Sequence, residues 1–517
     1  MDLSRNNIRM NKIVKSEVAN FYVNHEDRIT EADKPINNVV AWKDFVTLDN
    51  VSVRNGQVVI NGTVSYEMLY YSDGSDMICG IENEIPFEEN VKINGIDDNC
   101  NAQVKLVVIS SSVKTVDEEN YIYKTTIMAY ITIEQLEDME VVCGANKNNM
   151  MTRYAEIEGL SIIADKNDTF RINERISVPT GKPDIGKIVW KDIRIKNITT
   201  KMMDGVIHIG GELKVFIVYA PQDDMMPGQW IDTTLNFGGT VETTEAREDL
   251  VSYINTELHN VSADVEMNQD NETRDIFINA LLKLNIKIYE EIRMDVLEDV
   301  YAPDVNLIPV TEEKKYERLL VKNESRTKNT IKLDIDESKG HILQICSSGA
   351  DVKVEKMFIS DNGLKAVGKI RAYVIYVSSD DTRPICHKWQ EAEFEHRIDA
   401  EGISPEDKYY INWRIEQVNA NMLSTQEVEI KAVIALETLV FKEKKKTFIC
   451  DIKEEPIDME KVNAAPVLKG YIVKSGDTLW KLAKENYTTI EKIMEINELT
   501  SEQIKKGDRL ILIKSCQ

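Results

Sequence analysis

A nine-residue pattern that begins with glycine and ends with tyrosine occurs three times in the 517 residues of this chain. It reads GTVSYEMLY from Gly62 to Tyr70, GELKVFIVY from Gly211 to Tyr219, and GKIRAYVIY from Gly368 to Tyr376. The surroundings repeat with it. Lys34-Pro35 precedes Trp42-Lys43-Asp44 just as Lys182-Pro183 precedes Trp190-Lys191-Asp192, at an offset of 148 residues. The second and third copies hold an offset of 157 over a long span: Lys182 falls on Lys339, Ile188 on Ile345, Gly211 on Gly368, Ile254-Asn255 on Ile411-Asn412, and Val261 on Val418. The tryptophan is missing from the third copy, where Ser347 stands. An offset sustained this long marks duplication, and it restricts the chain to folds that one supersecondary unit can build three times.

The unit is a β structure. Runs such as Leu282 to Ile288 (LKLNIKI) and Val352 to Lys356 (VKVEK) alternate apolar and polar residues with period two and are rich in Val, Ile, Tyr and Thr. Each copy closes with a further strand-like run: Tyr121 to Glu134, Asp275 to Glu290, and Glu427 to Lys442. Clusters such as Ser72-Asp73-Gly74 and Ser379-Asp380-Asp381 supply turns, so the spacing predicts an antiparallel sandwich or small barrel of about 120 to 140 residues. The expected organisation is a mostly β chain of three tandem β-rich domains over 16–145, 150–305 and 318–451. They are preceded by an N-terminal tail, 1–15, and followed by a linker, 452–468, and a separate module, 469–514. Asn146 to Asn149 and the charged stretch Glu312 to Lys328 read as irregular connections. Common packing accounts for the recurring Trp42, Trp190, Tyr70, Tyr219 and Tyr376 more simply than a shared binding surface does.

Charge and composition exclude several functions. With 63 Lys+Arg against 88 Asp+Glu the chain carries −25, which repels a polyanion such as nucleic acid unless a local basic face exists. Met1 to Tyr22 contains no apolar run of the length a secretory leader needs, and no stretch of about 18 apolar residues occurs, so the expectation is a cytosolic protein. Seven cysteines, at 79, 100, 143, 346, 386, 450 and 516, stand singly without CxxC spacing, which fits a reducing compartment. The six histidines form no HExxH or i, i+4 pair, and Cys386-His387 has no further ligands near it, so neither a metal nor another cofactor is expected. With no phosphate-binding loop and no G-x-S-x-G elbow, the chain is read as a non-enzyme.

The last module has a different pattern. Tyr471 to Lys474 reads as a strand and Ser475-Gly476 as a turn. Asp477 or Thr478 then caps a helix whose inner face is Leu479, Leu482 and Ala483. Thr488 and Glu491 have the spacing of a capping box for a second helix, with Ile490, Ile493, Met494 and Asn497 along one face. Lys506-Gly507-Asp508 turns the chain into a closing strand at Leu510 to Ile513, giving β-α-α-β. From Tyr471 to Ile513 this text resembles the LysM domain, through the SGDTLW block, the I-x-x-x-N-x-L block at Ile493, Asn497 and Leu499, and the G-D-x-L at Gly507 to Leu510. The resemblance implies a shallow groove for N-acetylglucosamine polymers, involving Ser475, Gly476, Asp477, Thr478, Leu479, Ile493, Met494 and Asn497. Trp480, one residue off the Leu479 stripe, is either an exposed interface anchor or a cap on the small core.

Three β-rich repeats followed by one LysM domain resemble, over the full length, the SipL family of clostridial spore-coat morphogenetic proteins. That resemblance implies a non-enzymatic scaffold in the mother-cell cytoplasm, at the forespore surface, docking the coat basement-layer ATPase SpoIVA through its LysM domain. The alternative is a protein that binds N-acetylglucosamine glycans such as peptidoglycan. A wall hydrolase would need a nucleophile or metal constellation that the sequence does not offer.

Overall fold

Alternating β-branched and polar residues fold each repeat into six strands, and 75% of the chain is strand against 4% helix. The computed structural model describes residues 2–30, 33–72, 77–223, 227–336, 340–361, 363–464 and 466–514. Met1, Asp73, Gly74, Lys339 and Cys516 lie outside them. The first unit comprises β1 (Asp2–Arg28), β2 (Ile36–Arg54), β3 (Gln57–Ser72), β4 (Ile78–Lys92), β5 (Asn101–Thr115) and β6 (Asn120–Asn146). The second comprises β7 (Met151–Ser177), β8 (Ile185–Met203), β9 (Val206–Pro221), β10 (Gln229–Glu242), β11 (Val251–Glu266) and β12 (Asp275–Tyr301). The third comprises β13 (Asn306–Asp334), β14 (Ile342–Ser360), β15 (Gly363–Ser378), β16 (Ile385–Asp399), β17 (Lys408–Met422) and β18 (Glu427–Glu455). Each unit is a sandwich of two antiparallel three-stranded sheets, ordered β1-β6-β5 and β2-β3-β4 in the first and equivalently in the others. The sequence left sandwich and barrel open, and two separate sheets per unit decide for the sandwich.

The repeated nine-residue pattern has a physical cause in the middle strand of the inner sheet. Gly62, Gly211 and Gly368 lie directly opposite Phe87, Phe237 and Phe394 on the neighbouring strand. A Cβ at these glycines would come within 2.6 to 2.9 Å of the phenylalanine ring, so only glycine lets the ring lie across the sheet. The tyrosine eight residues on is fully buried in all three copies. The Tyr70 hydroxyl donates to the Lys34 carbonyl at 2.9 Å and the Tyr219 hydroxyl to the Pro183 carbonyl at 3.0 Å, which ties the Lys-Pro dipeptide to the strand.

These middle strands are buried on both faces. Met68 and Tyr70 face their own sandwich core, while Leu69 and Tyr71 join Val189, Trp190, Phe216, Val218, Cys346, Ile375 and Ile385 in one cluster drawn from all three units. The units therefore close into a ring. The fourth strand of each unit meets the second strand of the next: β4 on β8, β10 on β14, and β16 on β2. The approach is close enough that a Cβ on Gly80 would sit 1.7 Å from the Val189 carbonyl oxygen. Closure between the first and third units is fixed by the Ile385 amide, which donates to the Tyr71 hydroxyl at 2.8 Å.

The first and last strands of each unit, 27 to 29 residues long, outrun their sandwiches and continue as two-stranded ribbons. A register shift marks the base of every ribbon, between Ile13 and Lys15, Ile288 and Tyr289, and Leu319 and Val321, where a bulge sharpens the bend. The ribbons pack together through Ile8, Met10, Met139, Val141, Ile157, Val296, Tyr316 and Phe448. Residues 2–15, expected as a tail, are thus half of β1, and the stretch from Glu312 to Lys328 lies within β13. Both read as irregular because their apolar stripe is narrow and finds cover only on distant ribbons. At the ribbon base Lys287 Nζ pairs with Glu134 Oε2 and Asp165 Oδ2, each at 2.7 Å, and Asn11 Nδ2 donates to Glu134 at 2.9 Å. Lys287 and Glu134 are 1% and 0% exposed, so removing Lys287 would strand the Glu134 charge in the interior.

Two outcomes follow from this packing. Gly80→Val drives a side chain into the β8 backbone and should cost about 3 kcal/mol or more, read as a lower thermal midpoint. On β13, desolvation lifts the Glu317 carboxyl to about 7, with Lys12 and Lys408 opposing and Glu443 and Glu137 adding. The unfolded chain loses that proton near the ordinary value of about 4.3. The folded state therefore holds the extra proton in between, and stability contributed by Glu317 falls as pH rises from about 4.5 through 7. Glu317→Gln should flatten the urea midpoint across that range, while an unchanged slope would reject the assignment.

Candidate functional site

The terminal module is built on a small apolar centre. β19 (Leu468–Ile472) pairs antiparallel with β20 (Arg509–Ile513), and α2 (Leu479–Glu485) and α3 (Ile490–Ile496) pack between them through Leu479, Leu482, Ala483, Ile493, Leu510 and Leu512. Regular structure enters the segment expected as a linker: β18 runs on to Glu455, α1 (Met459–Ala464) follows, and Val462 is buried.

Each residue nominated from sequence has a definite place. Thr478 is the N-cap of α2, its side chain accepting from the Lys481 amide. Asp477 instead holds the loop, accepting from the Lys474 amide and the Tyr471 hydroxyl, both at 2.8 Å. Those two bonds, the backbone one first, keep its carboxyl below the usual range. Gly476 turns the loop at φ +87°, a conformation that L side chains rarely adopt. Leu479 and Ile493 are 1% and 0% exposed and belong to the core, with Met494 half-buried against it. Asn497 clasps β20, donating to the Ile511 carbonyl and accepting from the Ile511 amide, each at 2.7 Å. The capping box expected at Thr488 is displaced by one residue, because Thr488 is fully buried and Thr489 caps α3. Ser475, Gly476 and Thr478 remain exposed and together.

Trp480 is where the module joins the body. Its indole donates to Asp299 Oδ2 at 2.7 Å, and the ring stands edge-on to Tyr301 with centroids 4.9 Å apart. Lys484 Nζ reaches Asp299 Oδ1 at 2.6 Å, and the Arg153 guanidinium lies over the indole at 5.4 Å. Desolvation would raise the Asp299 carboxyl, but the bonds from Lys484 and Trp480 hold it below the ordinary value. Sequence reasoning missed Arg153, Asp299 and Tyr301. The available signal was a break in the repeat, since the rung equivalent to Tyr301 carries Asn146 in the first unit and Lys453 in the third. Elsewhere on the module, Ile472, Ile496 and Ile511 are 62%, 36% and 42% exposed, flanking a hollow of about 490 Å³ over Gly470.

A family model described as the SipL SPOCS domain matches residues 35–116, 184–266 and 341–423, and one described as the LysM domain matches residues 471–512. The chain is SipL-like, with a C-terminal LysM domain. Each SPOCS match spans the second to fifth strands of a unit, so the long ribbon strands lie outside the matched segments. Comparison with curated proteins and with solved structures returned no match. SPOCS and LysM are non-catalytic domain families, and the SPOCS domains make this a sporulation-related protein. No helix among the described residues is long and apolar enough to cross a membrane, and no described group of three His, Cys, Asp or Glu could hold a metal ion.

Trp480→Ala removes the anchor of a seated module. Loss of such an anchor costs on the order of 2 kcal/mol. Hydrogen exchange should then quicken in Val300 to Ala302 and in α1 while the LysM core stays protected; unchanged exchange there would show that Trp480 does not seat the module.

Proposed function

We propose that the chain is a non-enzymatic coat scaffold whose LysM domain docks a protein, the basement-layer ATPase SpoIVA, at the forespore surface in the mother cell. One observation carries this reading. The domain is seated on the body by Trp480, yet it keeps an aliphatic face of Ile472, Ile496 and Ile511 open to solvent. A contiguous exposed apolar patch marks an interaction surface, and three isoleucines around a hollow suit another protein better than a hydrated sugar. Of the nine residues nominated from sequence, the exposed Ser475, Gly476 and Thr478 border the docked partner in this reading, while Asp477, Leu479, Trp480, Ile493, Met494 and Asn497 hold the domain in shape and in place. The second reading, a glycan grip for N-acetylglucosamine polymers, draws on that same exposed loop, where backbone groups beside Met494 suit an N-acetyl group.

The test is capture of SpoIVA by the full chain, by a chain lacking residues 469–514, and by the Ile472→Glu, Ile511→Glu double variant. Capture should fall at least tenfold in both altered chains. Equal capture by all three overturns the reading, and saturable binding of N-acetylglucosamine oligomers, lost in Gly476→Val, would establish the second one.

A further inference from the structure

The three units do not fill the space they enclose. All three line a chamber of about 1700 Å³, larger than the roughly 300 to 1,000 Å³ of most small-molecule sites. Its walls include Leu48 and Val104 of the first unit, Ile195 and Leu284 of the second, and Val354 and Ile411 of the third. Val18 also lines it and is 55% exposed, so the chamber opens to solvent.

Each unit contributes one cation to a linked set on the chamber wall: Glu257 interacts with Lys105 and Lys283, and Lys105 with Arg414, while Glu17, Asp49, Asp168, Glu355 and Asp407 line the chamber elsewhere. Lys105 of the first unit is held by Asn412 Oδ1 at 2.7 Å and the Trp413 carbonyl at 3.1 Å, with its ammonium 3.9 Å from the centre of the Trp413 ring. Lys283 of the second unit is held by the Leu48 carbonyl at 3.0 Å. Arg414 of the third unit donates to Glu324 at 2.7 Å through Nη2, while its Nε is buried without a hydrogen-bond partner. Two further polar atoms on the chamber wall, Asn255 Oδ1 and Asn285 Oδ1, are buried and unpartnered. Desolvation, opposed by Glu257 and aided by Arg414, brings the Lys105 ammonium down to about 8.

Repetition of a fold explains side chains that recur, and these do not. The rungs equivalent to Lys105 carry Asn255 and Asn412, and those equivalent to Arg414 carry Val107 and Glu257. Divergence at different rungs has therefore placed three cations, one from each unit, on one chamber wall, linked through Lys105 to Glu257 and Arg414, inside a chain whose net charge is −25. Two of them, Lys105 and Lys283, are held by amide and carbonyl oxygens, which leaves their charge uncompensated by those partners. A guanidinium and ammonium groups converging in a partly desolvated space match the oxygens of an anion, and the amides of Asn255 and Asn285 can turn either end toward its hydroxyl or oxyanion groups.

We propose that the chamber binds a small polyvalent oxyanion, held by Lys105, Lys283 and Arg414, one from each unit. Such a ligand touches all three sandwiches and so favours the closed ring over any opened form.

Citrate and inorganic tripolyphosphate serve as carboxylate and phosphate probes, titrated into the full chain by calorimetry against sodium chloride of equal ionic strength. At least one should bind saturably near one per chain, raise the thermal midpoint, and slow acetylation of Lys105 at pH 8. Which probe does so tells carboxylate from phosphate. The Lys283→Gln, Arg414→Gln double variant should lose at least tenfold in affinity, whereas Lys201→Gln, on an exposed position outside the chamber, should not. Should the double variant fail to fold, protection of Lys105 in the native chain decides the matter. Absence of binding by both probes, affinity unaltered in a folded double variant, or acetylation of Lys105 indifferent to a bound probe would each overturn the proposal.

Discussion

Everything in this molecule depends on a strand buried on both of its faces. A sandwich needs only one face of each sheet covered, and a lone SPOCS unit would leave Leu69, Val218 or Ile375 in water. Three units meeting edge to face remove all of that surface at once. The contact is heterologous, fourth strand on second strand, and it closes after three steps because the chain contains three copies. Gly80 against the Val189 carbonyl shows how closely the backbones meet, and the Tyr71 hydroxyl receiving the Ile385 amide shows that the last contact is made as fully as the first.

Closure by three similar units would leave their order interchangeable if the copies were identical. They are not. At the rung where the ribbons leave the sandwiches, equivalent positions hold Glu134, Tyr289 and Phe441, and only the first of these can receive Lys287. A buried pair of this kind adds little net stability but penalises every arrangement that separates its members. The aspartate recurs, since the rung of Asp299 carries Asp451 in the third unit, but the same loss of symmetry sets Tyr301 beside it in the second unit alone, where Asn146 and Lys453 stand in the others, and so gives the LysM domain a single seat. Seating uses the indole of Trp480 and leaves Ile472, Ile496, Ile511 and the Ser475-Gly476 turn exposed.

Much of this was legible in the sequence, and the parts that were not share a cause. Period-two alternation gave the strands, and the Gly-to-Tyr spacing exposed the threefold repeat, because both are local. The LysM helices followed from Leu479, Leu482 and Ala483 at helical spacing. What failed was whatever depends on a remote partner. The opening residues, RNNIRMNK from Arg5 to Lys12, carry only Ile8 and Met10 on their apolar side and read as a tail until β6, more than a hundred residues away, supplies the ladder. Trp480 could not be oriented because the acceptor of its indole proton lies 181 residues earlier in the chain. Phe87, Phe237 and Phe394 were visible but unread, since their meaning lies in the glycine across the sheet.

The SPOCS units thus form a closed body rather than a string, and the body presents the LysM domain in one orientation. Small-angle X-ray scattering of the full chain tests this most directly, because only a ring brings the first and third units into contact. The account requires a curve that superimposes on that of a single compact particle with the closed arrangement. A longer maximum dimension with the profile of three flexibly joined bodies would contradict it.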